Sequence, residues 1–346
     1  MSDQHPELLR VEALRKEFPR HASLAAKLTG ATHEPLVAVR DVSLGVAPGE
    51  TLAIVGESGS GKSTLGRMIL GLMPPTSGTI TFDGRDITAL PPAGRRALTR
   101  DLQVIFQDPY SSLNPRQRIE DIIREPLDIH RIGTLDQRRE RVRELMDQTA
   151  LPDRYRRCYP HELSGGLRQR VGIATALAVH PKVIVADEPV SALDVSVQAQ
   201  ILDLLAEVQR QTSVAMVFIS HDLGVVQQIS DRVAVMCQGE IIELGPIEDV
   251  YTHPQHPYTR ALLSAIPPAD PTQPYQPIAI GDPVPLSDAD PGCRFRGRCW
   301  LAEEVCAQQP PALSPRPSGD LARCHITERA PDTWFEADQA ITIGGR

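Results

Sequence analysis

No stretch of this 346-residue chain approaches the roughly 18 to 20 consecutive apolar residues that a membrane span requires. The opening MSDQHPELLRVE likewise has no apolar core of a secretory signal. Both absences predict a chain on the cytoplasmic side that meets any membrane only through partners. Positive charge is also in short supply: 36 Lys and Arg face 44 Asp and Glu, for a formal charge of -8. That deficit argues against capture of nucleic acid, which needs a concentrated basic face, so any anion must be held by local geometry. Internal repeats and low-complexity tracts are absent as well. Apolar material, by contrast, makes up 41% of the chain, enough for a large core.

From Thr51 onward, short β-branched or apolar runs alternate with longer helical patterns. TLAIV, QVIF, VIVAD, AMVFIS and RVAVM read as strands buried on both faces, which implies an α/β chain with a mostly parallel sheet. TLAIV ends at Gly56 and leads into a helix from near Ser63, and VIVAD ends in Asp187 and Glu188. Both chemical groups thus fall at carboxyl ends of strands, where open α/β sheets bind ligands. Residues 108–170, rich in Arg and Glu, carry Val142, Leu145 and Met146 at helical spacing and read as an inserted helical subdomain. Residues 266–291 hold eight prolines, a density that favours an extended linker. The segment from Pro19 to Pro35 has no periodicity and reads as a surface loop.

Gly56, Glu57, Ser58, Gly59, Ser60, Gly61, Lys62 and Ser63 match the phosphate-binding pattern G-x-x-x-x-G-K-[ST] between a predicted strand and a predicted helix. The glycines let successive backbone N–H groups turn inward. Those donors and the helix amino terminus favour phosphate, Lys62 is expected to reach the β and γ oxygens, and the Ser63 hydroxyl to ligate Mg2+. Thr64 is counted with them as nucleotide-binding. Asp187 is expected to hold the Mg2+ hydration shell, and Glu188 to polarise an attacking water. A chance glycine-rich turn would carry neither this context nor the acidic pair. These residues alone support a nucleoside triphosphatase, a class that includes kinases, motors, repair ATPases and transporters.

Leu163 to Arg170, LSGGLRQR, narrows the class. It resembles the signature motif of ABC ATPases, with Ser164, Gly165 and Gly166 opening a helix that continues to Ala178. A helix amino terminus is a second anion site. Leu167 departs from the glutamine that many ABC signatures carry. The resemblance covers nearly the whole chain and implies the ABC ATPase form of the P-loop NTPase fold, with an antiparallel β-subdomain. It also implies a dimer in which each signature closes on the other subunit's phosphate loop over ATP. Gln107 resembles the Q-loop residue that contacts Mg2+, Ser191 to Asp194 the D-loop, and His221 the switch histidine that contacts the γ-phosphate. Phe18 is the candidate for the aromatic that stacks on adenine. Singly, Gln107 or His221 would read as an ordinary polar residue at an element end; their order along the chain is what ties them together.

The run HPYTRALL, from His256 to Leu263, resembles the C-terminal extension of dipeptide/oligopeptide importer ATPases, a family that includes nickel importers. It also reads as an ordinary amphipathic helix after a turn. The family resemblance implies ATP hydrolysis driving import of peptides, with nickel as the alternative. Implied partners are a second ABC ATPase, in a hetero- or homodimer, two transmembrane permease subunits and an extracytoplasmic solute-binding protein, at the cytoplasmic face of the membrane. A soluble ABC ATPase of DNA repair or translation is the reading from another class; the coiled-coil insertion, second cassette or basic surface usual there is not evident. The expected division is an ATPase core at 1–107 and 171–250, the helical subdomain at 108–170, and the extension at 251–346.

Four of the six cysteines, Cys293, Cys299, Cys306 and Cys324, follow the linker at spacings unlike the C-x2-C pairs of zinc ribbons. Reduced thiols in a cytoplasmic chain favour a metal site over disulfides. The resemblance implies a 4Fe-4S cluster, with zinc or free thiols as alternatives and Arg294, Arg296 and Arg298 available to offset thiolate charge. Remote in sequence from the phosphate loop, such a cluster is expected to act as a structural staple. Cys158 and Cys237 read as packed free thiols.

Overall fold

The computed structural model describes residues 7–19, 35–268, 275–282, 290–317 and 319–329. The expected loop between Pro19 and Pro35, and much of the proline-rich linker, lie outside the described residues. In chain order the strands are β1 Leu9–Phe18, β2 Leu36–Val46, β3 Thr51–Val55, β4 Ser77–Phe82, β5 Arg85–Asp86, β6 Leu102–Ile105, β7 Val183–Asp187, β8 Ala215–Ser220, β9 Arg232–Cys237, β10 Glu240–Pro246, β11 Ser314–Pro315 and β12 Leu321–Ala322. The order β2-β1-β4-β5 forms an antiparallel sheet. The main sheet has the order β11-β12-β10-β9-β3-β8-β7-β6, parallel from β9 to β6 and antiparallel beyond it.

The central strands lack polar alternation because each of their faces meets a core. Ala53 and Val55 of β3 join a cluster shared with the helical segment, while Leu52 and Ile54 join one shared with the antiparallel sheet. The same alternation divides Ile184 and Ala186 from Val183 and Val185 on β7, and Met216 and Phe218 from Val217 and Ile219 on β8. Burying each large apolar side chain is worth about 1.5–3 kcal/mol relative to leaving it in water. Strand register then sets where the chemistry falls. Val55 pairs with Ser220 and Asp187 with Ile219, so the chain leaves β3, β7 and β8 along one edge. QVIF is shifted by one residue, since β6 begins at Leu102.

Residues 108–170 hold helices Pro109–Ser112, Ile119–Ile129 and Leu135–Gln148, and end in the first turns of Gly165–Leu177. Val142, Leu145 and Met146 are buried, as their spacing predicts. Thr134 and Gln137 form a capping box that satisfies two orphan N–H groups at the start of Leu135–Gln148. Further along, helix Pro257–Ser264 buries Tyr258 and Ala261. Glu243 of β10, wholly buried, anchors its start by accepting the N–H groups of Gln255 (2.6 Å) and His256 (3.0 Å). The chain after the linker returns to the body: β12 pairs with β10, and Phe295 enters the main core. Among the described residues no helix is long and apolar enough to cross a membrane.

Candidate functional site

The loop after β3 needs glycine at two points. Gly56 has φ 151°, and a Cβ there would stand 2.1 Å from the Met236 carbonyl oxygen; Gly61 has φ 107°, with a Cβ 2.2 Å from the Ala38 carbonyl oxygen. Between them Ser58 and Gly59 are exposed and Ser60 is buried. Lys62 opens helix Lys62–Ile69, and its Nζ donates to the carbonyls of Gly56 (2.7 Å) and Glu57 (2.9 Å). Burial lowers the Lys62 pKa, against the opposing pull of Glu188, Asp187 and Glu57. The ammonium is thus desolvated and held by the loop it would share with an anion. The Ser63 hydroxyl donates to Asp187 Oδ1 at 3.0 Å, and Thr64 follows on the same helix. Burial raises the Asp187 carboxyl and the Ser63 bond opposes the rise.

Glu188, one residue past β7, has φ 47°, a left-handed conformation that costs a non-glycine residue of order 1–3 kcal/mol. The turn brings its Oε2 within 3.0 Å of Gln107 Nε2 and 3.3 Å of His221 Nδ1. Gln107 lies just past β6 and His221 just past β8, so three strand ends converge on one carboxylate oxygen. Glu188 is mostly buried at its side chain while His221 is half exposed. A carboxylate fixed this way beside a phosphate-type loop can polarise a water.

The other expected residues lie on other elements. Ser164 caps helix Gly165–Leu177, its hydroxyl accepting the Leu167 N–H at 3.5 Å. A Cβ at Gly165 would lie 3.3 Å from Leu193, and one at Gly166 only 2.5 Å from Val197. The pair therefore lets the helix pack closely on the segment around Asp194, which begins helix Val195–Thr212 without a side-chain cap bond. These residues bond within the helical segment and its neighbour rather than to the phosphate loop. Phe18 ends β1, with Lys16 Nζ 5.4 Å from its ring centroid.

Two residues at the phosphate loop were not expected from the sequence. The Tyr258 hydroxyl accepts the Glu57 N–H at 2.9 Å, and Arg298 Nη1 meets the Glu57 carboxylate at 2.9 and 3.0 Å. These pairings span 201 and 241 residues, so no local pattern announces them. The extension, remote in sequence, is in contact with the loop. The three arginines available to offset thiolate charge each also face a carboxylate: Arg294 lies 3.7 Å from Glu240, Arg296 bonds Asp290, and Arg298 bonds Glu57, while Arg298 Nη2 lies 3.8 Å from Cys237 Sγ.

The four cysteines share one neighbourhood. The Cys293 N–H donates to the Cys306 carbonyl at 2.7 Å. Burial pushes the Cys293 thiol up to about 11 and the Cys299 thiol up to about 12, with Cys306 and Cys324 adding to the rise at both. As donors they suit iron–sulfur or zinc. Among the described residues no three His, Cys, Asp or Glu stand together as a group that would hold a metal ion as they are placed. Cys237 is buried, its thiol pushed up to about 12, and Cys158 is half-buried.

Comparison with known proteins gives the family and the fold. Residues 39–191 match the family model described as ABC transporter, and residues 242–306 that described as Oligopeptide/dipeptide transporter, C-terminal region. A probable peptide ABC transporter ATP-binding protein of Sinorhizobium fredii is 47% identical over 326 residues, covering 94% of this chain and 90% of that protein. The oligopeptide transport ATP-binding protein AppF of Bacillus subtilis is 43% identical over 324 residues, 92% of this chain and 97% of that one. Among solved structures, the dimeric post-hydrolysis state of the ATP-binding cassette MJ0796 bound to ADP and Pi matches with TM-score 0.61 and 28% identity, covering 69% of this chain and 98% of the other. The cassette cbiO1 of Clostridium perfringens matches with TM-score 0.61 and 28% identity, over 71% and 91% of the two chains.

Proposed function

This chain belongs to the ABC transporter ATP-binding proteins of the oligopeptide/dipeptide type, and we propose that its ATPase activity powers the import of di- or oligopeptides. The observation that carries the site assignment is the convergence of Gln107 and His221 on Glu188 beside the loop that holds Lys62. Gly56 to Thr64 bind the phosphates, with Lys62 exchanging loop carbonyls for phosphate oxygens. Ser63, Gln107 and Asp187 would hold Mg2+, which would supply positive charge against the phosphates. Glu188 takes the proton of the attacking water and His221 steadies the γ-phosphate. Phe18 stacks on adenine. Ser164, Gly165, Gly166 and Asp194 complete the site of a second ATPase subunit, a reading supported by the bonds and close packing of Ser164, Gly165 and Gly166 falling within the helical segment and its neighbour.

Two permease subunits and an extracytoplasmic solute-binding protein complete the proposed assembly, with this subunit peripheral on the cytoplasmic face. The division at residues 107, 170 and 250 belongs to the same reading. The test is to purify the tagged chain from mildly solubilised native membranes. Two multispanning subunits and a second ATPase are expected with it; recovery only with nucleic-acid or ribosomal partners would contradict the proposal. A 4Fe-4S cluster on Cys293, Cys299, Cys306 and Cys324 is a separate proposal, supported by their number and shared surroundings. Drawing the four thiols together would be required. Iron and acid-labile sulfide in an anaerobic preparation are the expected result, and the lack of both would refute it.

A further inference from the structure

Glu57 is gripped at every polar group it has. Its N–H donates to the Tyr258 hydroxyl, its carbonyl accepts from Lys62, and both carboxylate oxygens accept from Arg298 Nη1. The Arg298 side chain is only 3% exposed. Its guanidinium sits 5.7 Å from the Tyr258 ring centroid and 5.3 Å from that of Phe295, and those two rings meet edge to face at 5.3 Å. Arg298 therefore has a built socket of two buried rings. It closes the turn Arg296–Arg298, between Cys293 and Cys299, where its own N–H is fixed by the Phe295 carbonyl at 2.9 Å.

The need for such a grip follows from the chemistry of the loop. A phosphate cradle binds best if its backbone is already ordered, because ordering it on binding would cost affinity. Glu57 also places a carboxylate inside a loop meant for a polyanion, and like charges disfavour each other unless one is neutralised. A buried guanidinium on that carboxylate answers both requirements.

We infer that Arg298 and Tyr258 are positioning residues of the nucleotide site: from the C-terminal extension they fix Glu57 and cancel its charge, and so set the affinity of the phosphate loop for ATP. The inference rests on reading Gly56 to Ser63 as the ATP cradle. It also gives the extension a role in this chain's own chemistry beyond a structural staple.

The test is equilibrium titration of the purified full-length chain with ATP and Mg2+, paired with kcat and KM for the assembled transporter. Arg298→Ala is expected to weaken ATP binding and raise KM roughly tenfold, the order of losing a hydrogen bond between charged groups, with kcat changing less than about twofold. Adding Glu57→Gln to Arg298→Ala should recover most of the affinity, because the uncompensated carboxylate is gone. Arg298→Lys should recover part, and Tyr258→Phe, which removes only the acceptor for the Glu57 N–H, should weaken binding about threefold. Should Arg298→Ala fail to fold by its near-UV dichroism, the Lys and Phe variants carry the test. Unchanged affinity in folded variants, or no recovery on adding Glu57→Gln, would overturn the inference. Lys62→Ala separates the two levels: loss of ATP binding there with no effect at Arg298 refutes only the clamp, whereas retained ATP binding refutes the cradle itself.

Discussion

Glu243 is an acid buried among backbone N–H donors. It is fully enclosed on β10, and burial raises its carboxyl from 4.5 to about 8, with the N–H donors of Gln255 and His256 opposing the rise. The folded state therefore holds a proton that the unfolded chain releases above its ordinary carboxylate pKa. The sign follows: a folded-state pKa above the unfolded value gives stability that is present in full below pH 4.5 and lost as pH rises through about 8. At about 1.4 kcal/mol for each tenfold in proton affinity, the loss is on the order of 5 kcal/mol. Glu243→Gln has the same shape and no proton to lose. Its amide offers one acceptor to two backbone donors, which costs about 1–3 kcal/mol at every pH. Urea unfolding of both proteins at pH 5, 6.5 and 8 should therefore give stability curves that cross, with wild type ahead in acid and the variant ahead in base. Parallel curves with wild type always ahead would refute the reasoning, since they would mean that the two N–H donors outweigh burial and keep the carboxylate ionised.

Three further expectations rest on independent features. Gly61→Ala forces a Cβ to 2.2 Å from the Ala38 carbonyl at φ 107°; a loss of about 2–4 kcal/mol and failure to bind ATP are expected, by urea unfolding and nucleotide titration. Phe218→Ala empties a fully buried site in the main core, with an expected cost of about 3–5 kcal/mol in the same unfolding assay. His221→Ala frees Glu188 Oε2 of one partner and should lower phosphate release by the assembled transporter about 100-fold while ATP binding persists.

Most of the framework was legible because the signals are local. β3, β7 and β8 are runs of apolar residues bounded by glycine, acid and histidine, and both faces of each are covered, so the doubly buried reading had only one arrangement to fit. The start of helix Lys62–Ile69 follows from Gly61, and that of Gly165–Leu177 from Ser164. The convergence of Gln107, Glu188 and His221 was legible as an order along the chain, but the sharing of one oxygen depends on strand register and on the left-handed turn at Glu188, neither of which a sequence pattern encodes. The contact of Arg298 with Glu57 was not legible at all. Arg298 sits among arginines and cysteines that suggest mutual charge compensation, and only the folding of the extension onto the main core redirects it. Strands β11 and β12 were missed for a related reason: two residues each carry no periodicity, and pairing with β10 alone defines them.

Hydrolysis is assigned to Glu188, in a site built on the loop of Lys62. Glu188→Gln keeps the length and shape of the side chain and removes its charge. In the assembled transporter, this variant is expected to bind ATP as tightly as wild type, retain it unhydrolysed with phosphate release down by at least about 100-fold, and stall peptide uptake. Phosphate release and uptake at wild-type rates would contradict it.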